Sequence, residues 1–353
     1  MKLGIIGLPQ SGKTTIFNAL THSNSPLAMS AGRIAINTAI VDVPDERLDK
    51  LAGLFSSNKI VRAQISFGDV AGMGSGESKQ GLSNQLLNAL SGMDGLLLVI
   101  RAFVDESVPH PAANLDSARD LRTIEDELLL NDLIIVERKI QKLNEERGKG
   151  GRDVAAIDRQ LDLFNKLHAS LSENKPLRGI ELTVEEQTAS AGIGLLTLKP
   201  LLVVINLGEG QSAPDLPGSS APTLPLQGKL EMELAQLSAE EALEFLKEYG
   251  LQEIGSRRVI RAAYDLLDTQ TFYTVGEPEA HAWVLRRGSS ALEAAGVIHS
   301  DIARGFIRAE IVAADELLQL GGMAQARDKG RLRLESKEYK MQDGDIINVR
   351  FNV

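Results

Sequence analysis

The sequence places the glycine-rich stretch Gly7-Leu8-Pro9-Gln10-Ser11-Gly12-Lys13-Thr14 directly after the apolar run at residues 3–6. The stretch fits the phosphate-binding pattern G-x-x-x-x-G-K-[ST]. This pattern predicts a buried first strand, a tight turn whose backbone N–H groups converge on phosphate oxygens, and a helix that begins directly behind the turn. Residues 15–20 are typical of that helix. The alternative, a glycine-rich turn that binds nothing, is disfavoured because strand, loop and helix follow in the required order.

The loop also predicts which side chains contact a bound nucleoside triphosphate. Gly7 and Gly12 allow backbone dihedrals that a Cβ atom would forbid, and they let the backbone approach the ligand closely. Lys13 is expected to meet the β- and γ-phosphates as a catalytic cation, and the Thr14 hydroxyl to bind Mg²⁺. The full set of predicted contacts in this loop is Pro9, Gln10, Ser11, Gly12, Lys13, Thr14 and Thr15.

The bulk composition limits the class of protein. A chain of 353 residues predicts two or three domains, and 43% hydrophobic with 24% charged residues is an ordinary globular composition. No apolar run is long enough to span a bilayer, and Met1 leads into the first strand without a signal peptide, so we expect a cytoplasmic protein with no membrane partner. The absence of cysteine excludes disulfides and thiolate chemistry, and the net charge of −10 argues against indiscriminate nucleic-acid binding.

The first 125 residues alternate apolar strands with helices, which predicts a doubly wound, mostly parallel α/β sheet. From about residue 120 to 171 the apolar residues recur at spacings of three and four, with a break at residues 148–151. This pattern predicts an inserted antiparallel helical hairpin with a glycine-rich basic tip. We interpret its interleaved charges as a solvated face rather than a partner surface. The predicted strands are residues 3–6, 34–43, 63–67, 95–100 and, after the hairpin, 201–205.

The remainder of the sequence predicts two further parts. A Pro/Gly/Ser-rich loop at residues 210–225 precedes a short strand at 224–226 and two helices at 238–249 and 256–267. The last part shows the short strands and single helix that are typical of a small α+β domain. Its predicted strands are 271–275, 281–285, 306–312 and 346–351, with a helix at 290–298.

We therefore predict a nucleotide-binding domain at 1–125 and 199–267, a helical hairpin at 126–198 and a C-terminal domain at 268–353.

A second motif concerns Mg²⁺ and hydrolysis. Asp69-Val70-Ala71-Gly72 fits D-x-x-G at the end of a predicted strand, where Asp69 would support Mg²⁺ and the Gly72 N–H would contact the γ-phosphate. The next residue is Met73, which cannot orient water as a glutamine would, so turnover is expected to be slow. His110 is the nearest candidate for positioning water, although a loop histidine is more often structural.

A third motif concerns the base. Where a GTPase shows N-K-x-D, the chain has Asn206-Leu207-Gly208-Glu209, so both the guanine-reading aspartate and the flanking lysine are absent. A lost buried hydrogen-bonded pair costs about 1 to 3 kcal/mol of discrimination. We therefore expect ATP to be favoured over GTP. The predicted base-side contacts are Asn206, Leu207, Glu209 and Gln227. For Gln227 the alternative is an ordinary strand-to-helix turn.

Taken together, these residues resemble the YchF/Obg-like ATPase family over nearly the whole chain. The resemblance rests on residues 1–9 and 15–20, on Val43-Pro44-Asp45 with residues 47–51, and on the altered base motif. At the other end, residues 271–276, 294–301, 305–310, 343–345 and 350–353 resemble the family's TGS domain, a small ubiquitin-like β-grasp fold. The resemblance implies a factor of the TRAFAC class that hydrolyses Mg-ATP, often alongside GTP, and associates with ribosomes. An RNA contact through the hairpin and the TGS domain is part of the same expectation.

The sequence also departs from the family pattern. Gln10 stands where the family usually has the asparagine that is linked to a potassium ion, which puts a potassium requirement in doubt. Residues 33–37 replace the usual Thr-Ile-Glu-Pro-Asn switch run, so closure over Mg²⁺ and the γ-phosphate is expected to be weaker. The loop at 73–81 is shorter than in the family.

Two other functions remain open at this stage. One is a metabolic P-loop kinase, although the sequence shows no recognisable acceptor site or arginine-bearing lid. The other is a binding module whose nucleotide is structural and never hydrolysed, which the altered switch run keeps open. In the C-terminal part, we interpret the arginines as solvated rather than as a nucleic-acid face; they are Arg286, Arg287, Arg304 and Arg308.

Overall fold

The computed structural model of the chain describes residues 1–23, 36–70, 84–148, 153–248 and 253–352. Some predictions concern residues outside these ranges. They are Gly72, Met73 and the loop at 73–81, most of the switch run at 33–37, and the hairpin tip at 149–151. No helix within the described ranges is long and apolar enough to cross a lipid bilayer.

The described elements alternate between strands and helices at both ends of the chain, with long helices in the middle. The first part contains β1 (Lys2–Ile6), α1 (Lys13–Thr21), β2 (Ile36–Asp42), α2 (Glu46–Phe55), β3 (Ile60–Val61), β4 (Gln64–Val70), α3 (Asn84–Ser91), β5 (Gly95–Arg101), α4 (Ser117–Gly148), α5 (Val154–Ser172) and α6 (Val184–Ser190). The rest contains β6 (Leu201–Asn206), β7 (Thr223–Leu226), α7 (Gly228–Leu234), α8 (Ala239–Glu248), α9 (Gly255–Leu266), β8 (Thr269–Val275), β9 (Ala280–Arg286), α10 (Ala291–Ile298), α11 (Ser300–Arg304), β10 (Phe306–Ala313), α12 (Ala314–Leu320), α13 (Met323–Asp328), β11 (Arg333–Glu335) and β12 (Asp345–Phe351).

The first sheet has the order β2-β4-β1-β5-β6-β7. Strand β1 pairs in parallel with β4 on one side and β5 on the other, and β5–β6 and β6–β7 are also parallel. Every residue of β5 and β6 is buried, as expected for strands that are covered on both faces. The predicted doubly wound, mostly parallel sheet is confirmed. The carboxyl ends of β4, β1 and β5 lie side by side, which is where such sheets bind ligands.

The helical hairpin has its own apolar core. Leu129, Val136 and Leu143 of α4 share one buried cluster with Phe164 and Leu167 of α5. Near the middle of α4, where the hairpin leaves the sheet, the buried Asp132 carboxylate accepts hydrogen bonds from the backbone N–H of Leu196 and Thr197, at 2.9 and 2.7 Å, and from the Thr197 hydroxyl at 2.6 Å. This carboxylate fixes the helix to the turn that leads into β6.

The C-terminal sheet is mixed, with the order β11-β10-β12-β8-β9-β3. The pairs β8–β9, β10–β12 and β10–β11 are antiparallel, while β12 pairs with β8 in parallel. Helix α10 buries Ala291 and Ala294 against Phe272, Ala309 and Ile347 of the sheet. The predicted small α+β fold is confirmed, but the prediction of a single helix is wrong, because α11, α12 and α13 follow α10 in the same part of the chain.

The chain divides into two compact units, residues 1–39 with 66–259 and residues 40–65 with 260–353. The second unit therefore includes α2 and β3, which come from the part of the sequence assigned to the nucleotide-binding domain. Within that unit, Ile60 and Val61 pair with β9, the Ser57 hydroxyl donates to the Gly276 carbonyl at 2.7 Å, and Arg47 forms an ion pair with Asp343 at 2.8 Å. The predicted boundaries of the three domains stay a prediction.

Candidate functional site

The glycine-rich loop joins β1 to α1 in the order that the pattern predicts. Gly12 precedes the helix with a left-handed φ of 88°, and a Cβ atom there would lie 2.2 Å from the side-chain nitrogen of Asn206. A Cβ atom on Gly7 would lie 2.5 Å from the Val99 carbonyl oxygen. Both positions therefore require glycine. Gln10 has a φ of 62°, which completes the tight turn of the loop.

Lys13 points its ammonium group back into the loop. Its Nζ donates to the carbonyl oxygens of Gly7 and Leu8, at 2.9 and 2.8 Å. Burial lowers the pKa of Lys13 to about 8, although the nearby Asp69 carboxylate acts in the opposite direction. A phosphate group would offer this ammonium stronger, charged acceptors than the two carbonyl groups do.

Thr14 and Asp69 meet at the carboxyl ends of β1 and β4. The Thr14 hydroxyl donates to the buried Asp69 carboxylate at 2.8 Å. Oxygen ligands suit Mg²⁺, which keeps several waters and takes one or two protein ligands together with substrate phosphates. The Ser11 hydroxyl is buried and has no hydrogen-bond partner within the described residues, as expected for a group that a ligand would satisfy. These groups fit a Mg-nucleotide.

Asn206 links the phosphate loop to the base side of the site. Its amide nitrogen donates to the Ser11 carbonyl at 3.1 Å, and its amide oxygen accepts from the Gly228 N–H at 3.1 Å. The side chain is buried, and both ends are already bonded. We therefore assign Asn206 to holding these loops in place, and a direct contact to the base stays a prediction.

The other predicted base-side residues come from two adjacent loops. Strands β6 and β7 pair in parallel, and just beyond β6 the Leu207 N–H donates to the Leu226 carbonyl at 2.9 Å. The segments that begin at Leu207 and Gln227 therefore lie next to each other. Leu207 is buried, Glu209 is exposed and Gln227 is half-buried. Pro9 and Thr15, at the two ends of the glycine-rich turn, are also half-buried.

Phe103 and Arg101 also lie beside the glycine-rich loop, although no motif predicts them. Phe103 ring and side-chain atoms lie 3.6 and 3.4 Å from where Cβ atoms on Gly12 and Gly208 would stand. The Arg101 guanidinium lies 4.3 Å from the ring centroid and donates to the carbonyl oxygen of Gln10 at 3.3 Å. Their position at the carboxyl end of β5, which neighbours β1, is the signal that would have revealed them.

His110 lies in the loop between β5 and α4 and has partners on both ring nitrogens. Its Nε2 is 2.8 Å from the buried Asp120 carboxylate, and its Nδ1 accepts from the Ala112 N–H at 3.1 Å. Arg119 pairs with the other Asp120 oxygen at 2.9 Å. In this conformation neither ring nitrogen is available to hold a water molecule. A water-positioning role would require the loop to open the contact with Asp120, and it stays a prediction.

Comparison with known proteins places the chain in a family. A family model described as 50S ribosome-binding GTPase matches residues 2–139, and the YchF GTPase C-terminal model, described as a protein of unknown function, matches residues 269–352. A ribosome-binding ATPase YchF of Bacillus subtilis (strain 168) is 40% identical, with 99% of each chain covered. The chain belongs to the YchF family.

Other YchF proteins support the same assignment. The ribosome-binding ATPase YchF of Escherichia coli O157:H7 is 36% identical over 100% of this chain and 99% of its own. The solved structure of the Schizosaccharomyces pombe YchF GTPase superposes with a TM-score of 0.86 at 30% identity, covering 99% of this chain and 97% of that one. The chain is thus a P-loop nucleotide hydrolase with a YchF C-terminal domain.

Proposed function

We propose that the chain binds Mg-ATP at the loop from Gly7 to Thr14, hydrolyses it slowly and acts on the ribosome. One observation carries the nucleotide part: Lys13, Thr14 and Asp69 meet at the carboxyl ends of β1 and β4, beside a buried Ser11 hydroxyl that has no hydrogen-bond partner among the described residues. Thr14 and Asp69 would hold Mg²⁺, whose charge would screen the phosphates of the nucleotide.

The preference for ATP follows from the base side of the site. Glu209 replaces the aspartate that would pair with guanine, and its side chain is exposed rather than held beside the base. Leu207 offers an apolar contact that does not depend on the identity of the purine. Without a buried carboxylate to accept hydrogen bonds from guanine, the site loses its selectivity for guanine, and GTP is expected to bind less tightly than ATP.

Slow turnover is supported by the surroundings of His110. This histidine is bonded to Asp120, and Met73 takes the place of a glutamine that would orient water. Hydrolysis would then depend on a rearrangement of the loop after β5, which a bound partner could promote.

The ribosome is the proposed partner because the curated relatives are named for binding it. We place the chain in the cytoplasm for the same reason. RNA contact through the hairpin or the C-terminal domain belongs to this proposal.

Phosphate release tests the nucleotide part. The wild-type chain should release phosphate from Mg-ATP faster than Lys13→Ala, and GTP should be no better a substrate than ATP. Release no faster than that of the variant would reject hydrolysis and leave a structural nucleotide. EDTA should abolish both activity and tight ATP binding if Thr14 and Asp69 hold Mg²⁺.

Ribosome co-sedimentation tests the partner. The chain should pellet with purified ribosomes, and the pelleted fraction should differ between ATP, ADP and nucleotide-free conditions. A chain that stays in the supernatant under all three conditions would reject the ribosome as its partner.

A further inference from the structure

Arg101 brings a positive charge into the interior at the carboxyl end of β5. The residue is 4% exposed, and its guanidinium donates to three backbone carbonyl oxygens. They belong to Phe103 at 3.1 Å, Gln10 at 3.3 Å and Val108 at 2.7 Å. Neutral carbonyl groups offset the cost of burying a charge less well than a carboxylate does. The stability of the fold alone therefore gives little reason for a cation at this position.

The guanidinium joins two loops of the candidate site. Gln10 lies in the glycine-rich loop and has a left-handed φ of 62°, a conformation that persists in a residue other than glycine where its surroundings fix it. Val108 lies in the loop after β5, two residues before His110. Because the guanidinium is planar and rigid, its two Nη atoms hold these two carbonyl oxygens in a fixed relation to each other.

The backbone of Arg101 reaches a third element, helix α4. The hydroxyl of Ser117, the first residue of α4, donates to the Arg101 carbonyl at 2.8 Å. Asp120, one turn further along the helix, lies 2.8 Å from His110 Nε2. Arg101 therefore contacts both structures that place the imidazole ring, namely the chain segment before His110 and the helix that carries its carboxylate partner.

We propose that Arg101 is a positioning residue that couples occupancy of the glycine-rich loop to the placement of His110. A triphosphate bound by the backbone N–H groups of the loop would shift the Gln10 peptide, and the rigid guanidinium would pass this shift to the Val108 carbonyl. The bond to Gln10 is the longest of the three and can shorten when the loop closes on phosphate. The effect on turnover rests on the proposed hydrolysis and on the proposed role of His110, whereas the coupling rests on nucleotide binding alone.

The substitution Arg101→Lys tests the effect on turnover. Lysine keeps the charge, but a single ammonium group cannot reproduce the planar fork that spans both carbonyl groups. We expect kcat for Mg-ATP to fall about tenfold or more, while the Kd for Mg-ATP changes less than about twofold. Added to His110→Ala, the same substitution should cause no further loss of turnover, because both changes remove one function. The matched control is Arg178→Lys, in the turn after α5, where a largely buried arginine pairs with Glu125 at 3.5 Å, and its kcat should equal that of the wild type.

Hydrogen exchange with the non-hydrolysable ATP analogue AMPPNP tests the coupling without turnover. Exchange at residues 104–115 should slow when Mg-AMPPNP binds to the wild type and to Arg178→Lys, but not when it binds to Arg101→Lys. Exchange in α1 should slow in all three proteins, which shows that each has bound the analogue. Thermal denaturation shows whether both variants are folded.

The outcomes separate the coupling from the proposed function. Binding of Mg-AMPPNP to the wild type without a change at residues 104–115 would overturn the inference, whether or not Arg101→Lys folds. An equal response in folded Arg101→Lys, an unchanged kcat, or a further loss of turnover on combination with His110→Ala would overturn it as well. If the coupled response is present but the wild type releases phosphate no faster than Lys13→Ala, the proposed hydrolysis fails and the coupling stands.

Discussion

At the scale of single residues, Lys13 links nucleotide affinity to pH. Its pKa of about 8 in the free chain means that the ammonium group loses its proton above that pH, while a bound triphosphate favours the charged form. We expect the Kd for Mg-ATP to rise by up to about tenfold per pH unit above pH 8. Binding there should also take up a proton, which calorimetry in two buffers of different ionisation enthalpy would detect.

The lowered pKa of Lys13 also determines how the free energy of unfolding changes with pH. Because the folded chain holds this proton less tightly than the unfolded chain, the contribution of Lys13 to the free energy of unfolding rises with pH between about 8 and 10.5. The matched control is Lys13→Arg, which stays charged throughout. The affinity of this variant for Mg-ATP should not vary between pH 8 and 10.5. If the Kd for Mg-ATP changes equally with pH in the wild type and in Lys13→Arg, another group is responsible.

His110 provides a second test at this scale. Residues 104–107, 109 and 111–115 around it are exposed, so the contact between His110 and Asp120 is the main one that a rearrangement of this loop would have to break to release the ring. We expect His110→Ala to lower ATP turnover at least about tenfold with little change in the Kd for Mg-ATP. His168→Ala on α5 is the control. Unchanged turnover, with a lowered melting temperature only, would show that His110 is purely structural.

At the scale of elements, the base of the hairpin depends on one buried carboxylate. Asp132 of α4 accepts from two backbone N–H groups and one hydroxyl. Asp132→Asn would turn an amide N–H₂ group toward these donors and leave at least one of them unbonded. We expect the free energy of unfolding to fall by about 1 to 3 kcal/mol, measured by urea denaturation.

The control for this prediction is Asp126→Asn, on an exposed position of the same helix. It should change the free energy of unfolding by less than about 0.5 kcal/mol. If the two variants are equally stable, Asp132 does not hold the hairpin to the turn before β6.

At the scale of the whole molecule, the division into two compact units predicts selective protection by ligand. Mg-ATP at about 100 times its Kd should stabilise the unit that contains the phosphate loop by about 2.7 kcal/mol. Hydrogen exchange should slow in α1 and β5, while β8 and β12 change little. Lys13→Ala should abolish the effect, and equal protection of both units would show that they unfold together.

The sequence by itself determined the local features. The glycine-rich loop, the buried strands β5 and β6, the hairpin helices and the C-terminal strands follow from apolar period and turn residues within short windows. Short helices such as α11 and α13, with five and six residues, were not predicted because so few turns carry no clear period. Candidate residues were found wherever they belong to a continuous motif, as Lys13, Thr14 and Asp69 do.

Only the tertiary structure decided which distant residues meet. Arg101 and Phe103 lie beside Gly12 because β5 pairs with β1, and Arg308 faces Arg350 because of the register of β10 and β12. Residues 40–65 join the C-terminal unit through strand pairing that spans about two hundred positions. A motif records neighbours along the chain, whereas these contacts are set by packing and register, which no local pattern contains.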